Sequence, residues 1–197
     1  MRHIQKYLII IILDVILLIP IYFGLFTRYL FINEFNFPIL LTLIISTIFF
    51  IILGLIIQKY GYDKSTISLM INHDATATFL GNGNKLILFL FFPLTMLMEE
   101  LIFRYYLIGF MDTILHLDVI AIILMSSLIF SVYHLHFWFR FKNVRLTMIF
   151  IIGSFVMGIF LSFILITLGL IFCVVVHFSL ALLMYYNLAN KIKKISN

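Results

Sequence analysis

Charged side chains are what this sequence has least of. Asp, Glu, Lys and Arg make up only 11% of its 197 residues, while 64% are hydrophobic. A soluble domain with that balance could not keep its surface polar, which excludes a free-standing globular enzyme or binding module. Cysteine is nearly absent. Cys173 stands alone inside an apolar run, so no disulfide framework is possible and the redox compartment stays unread. There is no internal repeat, no low-complexity tract beyond the apolar bias, and a length that leaves no room for a separate soluble domain. The net charge of +5 is spread over the ends of apolar segments, where it serves topology, so nucleic acid is not an expected partner.

What is present is a series of apolar runs, each about the 20 residues that a helix needs to cross a bilayer. The expected fold is all-α, a polytopic transmembrane helical bundle of about six spans, at roughly 7–30, 38–57, 86–110, 119–139, 146–165 and 170–190. The first follows "MRHIQK"; its apolar stretch is too long for a signal peptide and no small-residue cleavage site follows, so it reads as a retained helix. The stretch 146–190 is too long for one span and must turn, with Gly169 in "ITLGLI" as the natural place. The one sizeable loop, 58–85, is rich in Gly, Asn, Asp, Ser and Thr and reads as irregular backbone. Arg2, Lys6, Lys59, Lys64, Lys85, Arg140, Lys142, Arg145, Lys191, Lys193 and Lys194 fall on one side of that alternation, and only Arg28 on the other. Positive charge follows the cytoplasmic side, so both termini are expected in the cytoplasm of a multi-pass protein of the cell membrane.

Ionisable residues inside the spans are costly, and a functional role is the default reading for them. They are Asp14, Glu99, Glu100, Arg104, His134 and His177. Asp14 reads as a structural hydrogen-bonding residue, His3 and His73 as solvated, and His136 and Trp138 as interfacial anchors. Asp112, His116 and Asp118 fall in a short loop and need no special role.

The segment "MLMEELIFRYYL" is different. Glu100 and Arg104 are four apart, share a helical face and can form an ion pair. Glu99 is turned about 100° away and points elsewhere. One carboxylate is then neutralised and held, while the other faces a cavity and is free to exchange a proton. A wholly structural Glu–Arg clamp explains Glu100 and Arg104 but leaves Glu99 without a partner. On the next span, "FSVYH" puts Phe130 and His134 on one face, with Ser127 and Ser131 along it, and His136 about 200° from His134. The final span carries His177 in "HFSLA". A lone intramembrane histidine is more often a buried hydrogen-bonding group; three helices with ionisable groups at similar depth point to a site in the bundle interior.

Glu99-Glu100-x-x-x-Arg104, then Phe130-x-x-x-His134, then His177 resembles the CPBP family of intramembrane endopeptidases (CAAX protease and bacteriocin-processing, also called Abi). The resemblance covers roughly residues 86–187 and makes 86–190 the catalytic core of a single membrane domain, 1–197. It implies a hydrolase that cleaves a membrane-associated peptide or protein, such as a CAAX-type prenylated protein, a leader or a signalling pro-peptide. Glu99 would activate water with His134, Glu100 and Arg104 would set the geometry, and His177 would help bind the oxyanion. One departure stands out. The family usually has Asn or another polar group four residues after the last histidine, where this chain has Ala181, so three outcomes stay open: an oxyanion site that is weaker, one completed from Ser127 or Ser131, or one that is lost. No cofactor is favoured, because no HExxH is present. If zinc were used, as in a metalloprotease, Glu99, His134 and His177 would hold it. Two other readings stay open: a non-catalytic immunity or scaffold protein of the same fold, and a small proton-coupled carrier. The lack of repeat halves and of broken helices argues against the carrier.

The charge alternation predicts that reporter tags at 142 and within 60–80 read as cytoplasmic, and tags near 33 and 116 as external. A tag at 142 that reads as external would remove the six-span arrangement.

Overall fold

The chain is all helix, and its scarce polar residues sit where helices begin. The computed structural model describes residues 2–71, 73–81 and 84–196. Helix α1 (Arg2–Tyr22) is followed by a loop with Gly24 at φ +89° and a 3₁₀ turn at Thr27–Tyr29. Helix α2 (Phe37–Ile56) starts at Asn36, whose side chain accepts from the Ile39 amide at 3.0 Å, with Pro38 in the first turn, where no N–H is needed. It runs on into a π turn, Ile57–Gly61. Asp63 caps α3 (Lys64–Met70) by accepting from the Thr66 amide at 2.8 Å. That bond, the Ser65 hydroxyl and nearby Arg145 hold the Asp63 carboxyl well below the usual carboxylate range. Helix α4 (Asp74–Phe79) follows.

Next comes a long helical rod. It consists of a π turn at Ile87–Phe91, α5 (Phe92–Glu100), a second π turn at Leu101–Tyr106 and α6 (Leu107–Thr113). Asp118 caps α7 (Val119–Tyr133) through the Ile120 and Ala121 amides, each at 3.0 Å. Helix α8 (His136–Phe141) is separate, and Asn143 caps α9 (Val144–Ser196) through the Leu146 amide at 2.9 Å.

Gly169 breaks α9 at φ 83°, ψ 177°, as its position in "ITLGLI" predicts. Twelve residues of unbroken helix would rise about 18 Å, yet Cys173 Sγ lies 3.3 Å from the Leu161 carbonyl oxygen. Segments 144–168 and 170–196 are therefore the two arms of a tight antiparallel hairpin. Two expectations need correction. The loop 58–85 is not irregular throughout, because the Asp63 cap and burial of Ile67, Met70 and Ala75 order two short helices within it. The expected 119–139 helix is present within Val119–Phe141 but is not regular: after Tyr133, i→i−3 bonds from His134 to Ser131 and from Leu135 to Val132 tighten it into a turn before α8.

Among the described residues three helices, Phe37–Gly61, Val119–Phe141 and Val144–Lys194, are long and apolar enough to cross a membrane. Their outward positions, such as Ile45, Ile52, Leu128 and Val175, are exposed apolar side chains of the kind that lipid covers. The core joins Leu101, Tyr105 and Ile108 of the rod to Ile122 of α7 and to Leu161, Ile164 and Leu165 of the hairpin. Polar contacts tie the two ends of the bundle. At one, Arg145 pairs with Asp63 at 3.0 Å, and Lys191 Nζ donates to the carbonyls of Gln58 at 2.5 Å and Tyr62 at 2.7 Å. At the other, Arg28 and Tyr29 converge on Asp112, and the Asn33 and Glu34 amides both donate to the Thr167 carbonyl, at 2.9 and 3.0 Å. Arg28 thus lies at the end opposite to Lys59, Lys64, Arg145 and Lys191.

Gly169 occupies backbone space that is essentially reserved for glycine, worth about 1–3 kcal/mol to any other residue. A Cβ there would also lie 2.6 Å from the Phe31 carbonyl oxygen. Gly169→Ala should lower the thermal midpoint of the detergent-solubilised protein by roughly 4–8 °C; an unchanged midpoint would contradict this account of the hairpin.

Candidate active site

The site begins where α5 gives way to the π turn. Glu99 and Glu100 end the α-helical part, and Arg104 lies inside the wider turn that follows. Such turns recur at functional sites because they re-aim side chains that a regular helix would stack. Glu100 is wholly buried, and all its partners are in place. Its Oε1 receives His177 Nδ1 at 2.6 Å, and its Oε2 receives the Cys173 thiol at 2.9 Å. Arg104 Nε lies 3.4 Å from Oε2, within ion-pair distance though not aligned for a hydrogen bond. The Arg104 guanidinium lies over the Phe130 ring at 3.7 Å, and its terminal nitrogens have no hydrogen-bond partner among the described residues. A buried cation without donors satisfied needs other compensation, which here comes from one carboxylate and one ring face.

Glu99 is placed differently. It is buried against protein, yet it lines a cavity of about 570 Å³ and makes no hydrogen bond with the described residues. Neither Glu100 nor Arg104 lines that cavity, whereas His134 and His177 do. The sequence split between the two glutamates therefore has a counterpart in space: one is committed behind the wall and the other is open to the interior.

Both histidines have a defined orientation. His134 Nδ1 sits 2.9 Å from the Phe130 carbonyl, which can only accept, so Nδ1 carries the proton and Nε2 keeps its lone pair. His177 Nδ1 faces the Glu100 carboxylate, which leaves its Nε2 for the cavity. Phe130 packs edge-on against both rings, at 4.6 Å from His134 and 5.9 Å from His177. Glu99, Glu100, Arg104, His134 and His177 are thus brought together from the rod, α7 and the second arm of the hairpin.

Other expected placements are revised. His136 lines the same cavity, its ring 5.8 Å from that of His134, because the turn after Tyr133 cancels the 200° separation an unbroken helix would impose. His73 is not simply solvated. It stacks on Tyr185 at 4.9 Å and lines the cavity together with Tyr7, Asp74 and Arg140. The side chain of His3 lies outside the described residues. Ser127 and Ser131 do not reach the cavity: Ser127 donates to the Ile123 carbonyl at 2.6 Å and Ser131 to Ile151 at 2.8 Å. Ala181 does line it. Asp14 is buried, lies off the cavity and has no hydrogen-bond partner among the described residues, so the hydrogen bond expected for it is not found there. Cys173 is the member that sequence reasoning missed, although it stands one helical turn before His177.

Zinc would need three of these donors to converge. Among the described residues no three His, Cys, Asp or Glu side chains do so. The set Glu99, His134 and His177 does not fit the ion as placed, and no step below is routed through one.

Removing Arg104 would strand Glu100 with a buried charge. That penalty is about 3–5 kcal/mol, a large share of a marginal stability. Arg104→Ala should therefore reduce the amount of folded protein in membranes, read by immunoblot and gel filtration. Wild-type levels with a wild-type profile would show that the pair is dispensable.

A family model described as Type II CAAX prenyl endopeptidase Rce1-like matches residues 81–183, just over half of the chain. No curated protein and no solved structure matches it. The matched region contains both glutamates, Arg104, His134 and His177, the residues that meet around the cavity. The chain belongs to the Rce1-like type II CAAX prenyl endopeptidase family.

Proposed function

We propose that the chain is an intramembrane endopeptidase of the glutamic type that hydrolyses one peptide bond in a membrane-associated peptide or protein. A CAAX-type prenylated protein, a leader and a signalling pro-peptide all fit an apolar cavity of this size. The observation that carries the proposal is the pair of adjacent carboxylates with opposite fates: Glu100 fixed by His177, Cys173 and Arg104, and Glu99 uncommitted at the cavity wall. The basic end of the bundle faces the cytoplasm in this reading, and Arg140 lines the cavity together with Tyr7 and Asp74.

In the first step Glu99 takes a proton from water while the water oxygen bonds to the scissile carbonyl carbon. The carbonyl π pair moves onto its oxygen. His134 Nε2, an acceptor in its fixed tautomer, orients the water through its second hydrogen. His177 acts as a donor from both ring nitrogens in this step, Nδ1–H to the Glu100 carboxylate and Nε2–H to the oxyanion. When the intermediate collapses, the C–N bond breaks and the departing amine takes the proton back from Glu99. One water has then been added across one peptide bond, and Glu99 is again a carboxylate.

Ala181 favours a second reading, a non-catalytic immunity or scaffold protein that keeps the bundle without the chemistry. Glu99→Gln separates the two, since glutamine retains size and polarity but cannot accept the proton. The protease reading expects precursor cleavage to fall by about 10²–10⁴-fold with membrane levels unchanged, measured by comparing membrane proteomes with and without the substitution. Full function in Glu99→Gln would favour the scaffold.

A further inference from the structure

A single ring N–H is a sparse site for an oxyanion, since such sites ordinarily aim more than one donor at the developing charge. We infer that Ser154 supplies the second donor. The inference rests on the protease reading above and names a residue that no motif contains.

Hydroxyls on helices usually donate to a carbonyl one turn back. Buried Ser127, Thr147 and Thr167 all do so, to Ile123, Asn143 and Phe163. Ser131 and Ser126 instead donate across the helix contact to the Ile151 and Phe103 carbonyls. Ser154 is just as buried and lines the cavity, yet its hydroxyl has no hydrogen-bond partner among the described residues. A hydroxyl without a protein partner at a cavity wall is available to a ligand.

Its position is suitable. The approach of Cys173 to Leu161 sets the register of the hairpin. One turn further from Gly169, His177 comes level with Met157, and one more turn brings Ala181 level with Gly153 and Ser154; all five line the cavity. One turn before Ser154, Phe150 stacks parallel to the His134 ring at 6.4 Å. Ser154 therefore stands between the two histidines, across the hairpin from an alanine that offers no donor. Beside it, a Cβ added to Gly153 would meet nothing within 4 Å, so a carbonyl group has room to approach. In the proposed step Ser154 Oγ–H donates a hydrogen bond to the oxyanion and keeps its proton throughout.

The test uses the full chain in its own membranes and the precursors that accumulate in Glu99→Gln as the readout. Ser154→Ala removes the donor without adding atoms; Ser154→Val and Ser154→Thr differ from each other only in the hydroxyl. The expected result is that Ala and Val accumulate the same precursors, with cleavage slowed about 10²-fold at wild-type protein level, while Thr stays within a few-fold of wild type. Wild-type processing in Ser154→Ala, or equal loss in Thr and Val, would overturn the role of Ser154 while leaving Glu99 intact. If no precursor separates wild type from Glu99→Gln, the protease reading falls and the role of Ser154 falls with it.

Discussion

Glu100 is the constraint on which the rest of the site depends. A carboxylate with no exposed surface cannot stay charged unless its neighbours match it, and the matching groups come from separate places in the chain. Arg104 comes from the following turn, and Cys173 and His177 from the second arm of the hairpin. Meeting that requirement fixes the rotation of the arm about its axis and turns the His177 ring so that Nε2 reaches the cavity. It also presses the guanidinium onto Phe130, whose carbonyl in turn sets the tautomer of His134. Glu99, one residue earlier, takes no part in that set and lines the cavity instead.

Apolar packing alone would not set such a geometry in lipid, where helix surfaces gain little by leaving the acyl chains. Close approach does more. Gly158 lets α7 come so near that an added Cβ would lie 3.0 Å from the Ser127 Cα, and α7 makes its main contact with the hairpin there. Polar clamps at the two ends then fix the axial positions, with Thr167 receiving two amides at one end and Lys191 donating to two carbonyls at the other. Small residues set how near the helices come, and the end clamps set how far they slide.

Much of this was legible in the sequence. The glutamate pair, Arg104, His134 and His177 stand out because charge is rare in apolar runs, and Gly169 stands out because a helix of that length has to turn. What was not legible shares one physical cause. Angular arithmetic assumes an unbroken α-helix, so the turn after Tyr133 put His136 on the wrong side of the reckoning and the π turns were invisible. The direction of a hydroxyl is not written in its position either. Ser127 and Ser131 share the His134 face, yet both are engaged with carbonyls, while Ser154, on another helix, is left open to the cavity. Cys173 looked inert because a lone cysteine in an apolar run usually is; only the hairpin shows that its thiol meets a carboxylate.

The hairpin also bears on time. Ribosomes deliver the rod and α7 before the arm that carries Cys173 and His177. Until that arm folds back at Gly169, Glu100 has Arg104 for company and lacks its two other partners. A partly made chain therefore holds Glu99 and His134 without the ring that completes the site. Under the proposed protease reading, this order of assembly keeps the site incomplete until the fold has closed.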